Sequence, residues 1–176
     1  MSKNRFSEDL NSLIAELTLR GYKELENRAK LGISYTYVYA SVDGDIATIN
    51  LRNNGKFELR YRQISPSPKG GNKLEYRVTI EGKTHSVHKI MALTFPEFIG
   101  EWKDGVDIHH LDCNHLNNRA TNLICLTKDV HNKLHSLLDN ADDIDDMLSR
   151  IHTYLFQCTV NDEDITVEGL EELIYG

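Results

Sequence analysis

The stretch Val106-DIHHLDCNHLNNRATNLICLTKDVHNKL-His135 holds five of the chain's eight histidines, His109, His110, His115, His131 and His135, within 27 residues. Two short runs with strand character, Asp107 to His110 and Asn122 to Leu126, flank an eleven-residue loop. Lys128 to Leu138 then has helical spacing, with Thr127 as its cap. Adjacent side chains on a strand point to opposite faces, so His109 and His110 cannot serve one purpose. One can bind a metal while the other faces a different part of the site. His131 and His135 lie four apart on the helix, on one face and within reach of one ion. If the strand pair folds onto the helix, His109 meets them, and the result is a ββα unit around a divalent metal.

Upstream, Val87 to Phe95 reads as a short helix stopped by Pro96. Ile46 to Leu51, Phe57 to Arg62, Leu74 to Ile80 and Thr84 to Val87 read as strands of one antiparallel sheet. Turns stand at Asn53-Asn54-Gly55 and Glu81-Gly82-Lys83, and residues 65–72 form a longer loop. From Ile33, Tyr35, Tyr37 and Tyr39 alternate on one face of a further strand, closed by a turn at Val42-Asp-Gly-Asp45. Ser7 to Lys30 has the helical repeat Leu10, Leu13, Ile14, Leu17, with Ser7 as cap and Gly21 as a candidate break. Downstream, Asp142 to Phe156, with Ile144, Met147, Leu148 and Ile151 on one face, and Val167 to Ile174 read as acidic amphipathic helices. The expected class is α+β, with an N-terminal helix, an antiparallel β-sheet, a ββα core and C-terminal helices. The expected divisions are 1–45, 46–95, 96–138 and 139–176.

With 176 residues, 40% hydrophobic and 27% charged, the chain can build a core and is not globally disordered. No apolar run has membrane-spanning length, and Met1-Ser-Lys-Asn-Arg5 leads into a polar stretch unlike a signal peptide, so a cytoplasmic protein without membrane contact is expected. Three dispersed cysteines, Cys113, Cys125 and Cys158, fit neither a disulfide scaffold nor a paired CxxC zinc knuckle. The net charge of −7 taken alone argues against a nucleic-acid partner, but its distribution reverses that reading. Residues 136–176 hold eleven acids and one base, whereas residues 46–95 hold nine bases and three acids.

The histidine segment resembles the HNH nuclease family, also called ββα-metal or His-Me finger nucleases, in its phage or homing-endonuclease form. The matching residues are His109-His110, Asp112, Asn117-Asn118, Asn122-Leu123 and His131, and Thr84 to Phe95 resembles the family's lead-in. The resemblance implies that His110 is the general base and that His109 and His131 bind the metal. It implies that Asn122 braces the loop so that the His110 ring is held, and that His135 matches the extra helix histidine of colicin-type members. The implied activity is metal-dependent hydrolysis of DNA phosphodiesters to 5′-phosphate and 3′-hydroxyl ends, in a phage or mobile-element protein acting in a bacterial host cell. A nitrogen-rich site suits Zn²⁺, Ni²⁺, Co²⁺ or Mn²⁺, with Mg²⁺ or Mn²⁺ as working ions. Arg52, Lys56, Arg60, Arg62, Lys69, Lys73, Arg77, Lys83 and Lys89 are candidates for DNA backbone contacts, with Arg119 and Lys133 nearer the scissile phosphate.

Cys113 departs from the family, which has glycine there; Asn114 is expected to supply the left-handed residue instead. His88 and His85 read as structural, and His115 as a surface residue or phosphate contact. Three alternatives stay open: a structural zinc site, an inactive HNH fold kept for nucleic-acid binding, and a defence or toxin nuclease whose acidic tail docks a partner. The apolar face of that tail argues for a helical appendage docked on the body or on a second copy, as in a homodimer.

Overall fold

The computed structural model describes residues 4–70 and 73–174. Residues 1–3 of the polar start and 71–72 of the expected loop lie outside the described residues. The fold is α+β, built, among the described residues, on three small antiparallel sheets.

The first sheet joins Arg5–Ser7 (β1), Tyr22–Glu24 (β2), Tyr37–Ser41 (β3), Ile46–Leu51 (β4) and Phe57–Tyr61 (β5) in the order β1-β5-β4-β3-β2. Leu10–Leu19 (α1) covers it, burying Leu13 and Leu17 against Tyr39, Ala47, Ile49 and Leu59. The helix expected over 7–30 therefore shrinks to ten residues. Asp9 caps it by accepting from the Asn11 amide at 2.9 Å, while Ser7 closes β1. Gly21, at φ +78°, then turns the chain into β2, whose pairing with β3 overrides any continued helix. Tyr35 precedes β3 and is exposed, so the expected tyrosine face is Tyr37 and Tyr39 alone.

The expected single sheet is in fact divided. Ser65–Gly70 (β6), Lys73–Ile80 (β7) and Lys83–Ser86 (β8) form a separate sheet in the order β6-β7-β8. The stretch expected as a loop is thus an edge strand through residue 70; an edge tolerates Pro66 and Pro68 because their missing N–H groups can face outward. Val87–Thr94 (α2) follows, and Pro96 opens the short Pro96–Ile99 (α3) as well as ending α2. Val87, Ile90 and Met91 of α2 are fully buried, in one core with Val38 and Ile46 of the first sheet, Val78 and Ile80 of the second, and Leu123.

Val106–His110 (β9) and Leu123–Thr127 (β10) pair antiparallel, with His110 opposite Leu123 and His109 opposite Ile124. Lys128–Asp139 (α4) leaves β10 directly, the Thr127 hydroxyl accepting from the Val130 amide at 3.5 Å. Ile144–Asn161 (α5) and Val167–Glu172 (α6) pack on α4, joining Ile151, Leu155 and Leu170 to Leu134, Leu137 and Leu138. The acidic tail is therefore docked on the body. Ile144, expected on its packed face, is 56% exposed. Among the described residues no helix is long and apolar enough to cross a membrane.

Candidate active site

The β9–β10 hairpin splits its two histidines between two faces, as strand geometry requires. His109 turns to α4, where its ring centroid lies 5.3 Å from that of His131 and 5.1 Å from that of His135. His131 and His135, one helical turn apart, have centroids 4.6 Å apart. One nitrogen from each of the three rings lies within 4.8 Å of the others. Burial, and next the charges of His135 and His131, push His109 down to about 3. Burial also lowers His131 and His135, aided by His135 and Lys73 respectively. All three shifts favour the uncharged imidazole, the form that donates a lone pair to a cation. Three converging nitrogens fit a divalent transition metal and leave coordination positions for water or substrate.

His110 faces the other way, toward α2. Its ring stands edge-on to His88 and to His115, with centroids 5.5 and 5.0 Å away. Its Nε2 lies 3.1 Å from Asn118 Oδ1, and its Nδ1 is buried without a protein partner. Burial lowers His110, although the Asn118 contact works in the opposite direction. His88 is pushed down to about 3 by burial and the charge of His110, and His115 to about 4 by burial and Lys69. Below them lies buried Glu75, which accepts from Arg77 Nε at 2.6 Å and Ser86 Oγ at 3.0 Å.

The loop between the strands is organised by Asp112. Its carboxylate accepts from Asn117 Nδ2 at 2.7 Å, Asn122 Nδ2 at 2.8 Å and the Asn114 amide at 2.9 Å. Burial would raise this carboxyl, but those hydrogen bonds outweigh it and hold it low. Asn122 also donates to the Asn117 carbonyl at 2.9 Å, so it pins the loop at both ends. The atom touching the His110 ring, however, belongs to Asn118. Cys113 itself adopts the left-handed conformation, at φ +57°, so the expected relief at Asn114 is not used. The hydrogen bond from the Cys113 amide to the His110 carbonyl, at 2.9 Å, accompanies the tight turn.

A cleft of about 1510 Å³ runs past both histidine groups. Of the basic residues singled out by sequence, Lys69, Lys73, Arg77 and Lys89 line it, joined by Lys103 and Lys128, which the sequence had not marked. Arg60, Arg62 and Arg77 line a second cleft of about 490 Å³. Arg52 and Arg60 both pair with the buried Glu58, and Lys56 pairs with Glu8 at 3.3 Å. Lys83 lies near Gly32, away from both clefts. Arg119 lies 3.6 Å from Asp43 and Lys133 2.6 Å from Glu171; neither lines the histidine cleft. Asn118, His88 and Glu75 are the site residues that sequence reasoning passed over. Asn118 was visible only as one half of an Asn pair, and nothing local says which half meets the ring.

Residues 92–133, from the last turn of α2 to the first part of α4, match a family model described as HNH endonuclease. No curated protein matches the chain. Among solved structures, that of the HNH homing endonuclease I-HmuI, described by its DNA binding and cleavage, is similar at 22% identity and a TM-score of 0.39. The likeness covers 60% of this chain and 55% of that one, so it spans just over half of the relative's length.

Proposed function

We propose that this chain is an HNH-type, metal-dependent DNA endonuclease that leaves 5′-phosphate and 3′-hydroxyl ends. The observation that carries the reading is the convergence of His109, His131 and His135 beside an oppositely facing His110, inside the segment that matches the HNH family. The three imidazoles would hold the ion. When bound, a divalent metal supplies positive charge to the reacting phosphate and the departing 3′ oxygen. His110, kept neutral by burial, takes the proton of the attacking water. Asp112, Asn117 and Asn122 keep the intervening loop in one shape, so that both histidine groups face the same cleft. Lys69, Lys73 and Lys89 seat the flanking phosphates. A single site of this kind cuts one strand, so a lone chain nicks. The lead-in at 84–95 supports a phage or mobile-element origin, with action in the cytoplasm of a bacterial host.

Conversion of supercoiled plasmid to nicked circles, measured across Mg²⁺, Mn²⁺, Zn²⁺, Ni²⁺ and Co²⁺, tests the reading. His110→Ala is expected to slow nicking by about 10²–10⁴-fold with metal binding intact. No nicking by the unaltered chain with any of these ions, under conditions where it still binds DNA, would replace the nuclease reading with an inactive binding protein.

A further inference from the structure

A neutral imidazole can act as a base only through its unprotonated nitrogen, and here the neighbour that selects that nitrogen is Asn118. The amide oxygen of Asn118 stands 3.1 Å from His110 Nε2. An amide oxygen only accepts, so this contact places the ring proton on Nε2. Nδ1, which has no protein partner, is then the bare nitrogen. Asn118 is 5% exposed and stands behind the His110 ring, outside the residues that line the histidine cleft.

Asn118 is held in turn from outside the matched segment. The turn between β3 and β4 presses on its stretch of chain, with the Ala120 amide donating to the Val42 carbonyl at 2.8 Å. Gly44 of that turn has φ +93°, and a Cβ added there would stand 3.0 Å from the Asn118 carbonyl oxygen and 3.4 Å from its Cβ. Glycine is required at this position for two reasons, the left-handed backbone and the close approach.

We propose that Asn118 is a positioning residue that fixes His110 in its Nε2–H form, and that the β3–β4 turn at Gly44 is the seat that holds Asn118. The first sheet, remote in sequence from the histidine segment, thereby becomes part of the active-site machinery. This rests on His110 being the base of the proposed reaction, yet the ring's protonation pattern is a property of the protein alone.

The test uses the full chain with ¹⁵N-labelled histidine, and the His110 signals are assigned by their loss in His110→Gln. At neutral pH the unaltered chain and Asn118→Asp, which retains an acceptor oxygen, are expected to show a protonated Nε2 and a bare Nδ1. Asn118→Ala is expected to show a mixture of the two forms. Its kcat for plasmid nicking should fall about 10- to 100-fold with KM unchanged, and Asn118→Asp should recover part of that loss. Gly44→Ala should lower kcat in the same sense, because Asn118 must shift by a few tenths of an ångström to admit the methyl group. A proton on Nδ1 in the unaltered chain would overturn the proposal, as would an Asn118→Ala protein with normal spectrum and normal kcat. Normal kcat in Gly44→Ala would overturn the role of the turn. Should Asn118→Ala fail to fold, the spectra of the unaltered chain and Asn118→Asp decide. A chain that never nicks DNA would sink the nuclease reading and leave the spectral result standing.

Discussion

Replacing His131 with alanine removes one of three converging nitrogens, and its consequence can be worked from linkage. An ion that binds only the folded chain adds RT ln(1 + [L]/Kd) to its stability, about 2.7 kcal/mol at a hundredfold excess over Kd. For a chain of 176 residues, with about 2–4 °C per kcal/mol, that is a rise in melting temperature of about 5–11 °C. A hundredfold loss of affinity at the same metal concentration leaves only about 0.4 kcal/mol, or about 1–2 °C. His131→Ala and His109→Ala should each nearly abolish the metal-induced rise. His152→Ala is the control: this residue sits on α5, meets the Leu111 carbonyl at 2.9 Å and is not one of the three converging histidines, so its loss should leave the rise intact. Differential scanning fluorimetry with Zn²⁺, Ni²⁺ or Mn²⁺ reads the effect, and isothermal titration gives the affinity directly. A full metal-induced rise in both His109→Ala and His131→Ala would place the ion elsewhere and refute the reasoning.

Three further outcomes follow from particular contacts. Glu81 accepts from the Ser34, Tyr35 and Thr36 amides at 3.0, 2.8 and 2.8 Å; burial would raise its carboxyl, but these bonds hold it below the ordinary range. A depressed folded-state pKa contributes stability above the unfolded value and loses it as pH falls through the folded one. Glu81→Gln should therefore melt lower than the unaltered chain at neutral pH, with the gap closing in acid, and a gap independent of pH would remove the carboxylate from that role. Lys69→Ala with Lys73→Ala should weaken DNA binding and reduce the slope of log K against log salt by about 0.9 for each lost phosphate contact, whereas an unchanged slope would move the interface. These lysines make a cleaner test than Arg60 or Arg77, whose removal also strips a partner from the buried Glu58 or Glu75. Truncation after Asn140 should uncover Leu134, Leu137 and Leu138 of the helix that carries His131 and His135. Sedimentation and fluorimetry should then show association or a lower melting temperature with a weakened metal response; unchanged behaviour would mean that α4 stands without α5 and α6.

What the sequence determined by itself lies in short-range geometry. The alternation of a strand sends His109 and His110 to opposite faces, and the four-residue spacing of His131 and His135 puts them on one helical face, so three imidazoles that could hold an ion converge once a strand pair meets the helix. β4 and the Thr127 cap were legible for the same reason, since each depends on neighbours within a few residues. The helix read over 7–30 failed where pairing across the chain mattered: β2 exists because Tyr22 meets Ser41, which no local period announces. The edge strand β6 was hidden by its prolines, because their acceptability depends on lying at an edge. The basic residues of 46–95 looked alike in sequence, yet only Lys69, Lys73, Arg77 and Lys89 reach the histidine cleft, while Arg52 and Arg60 turn to buried Glu58. The partner of the His110 ring was likewise settled only in three dimensions. The 3.1 Å contact of His110 Nε2 with Asn118 Oδ1, and a glycine 74 positions before that asparagine whose missing Cβ leaves room for it, depend on how the first sheet packs against the loop. Local rules choose the residue types and the face each one occupies; which of several similar side chains arrives at a given atom is decided by the packing of distant segments.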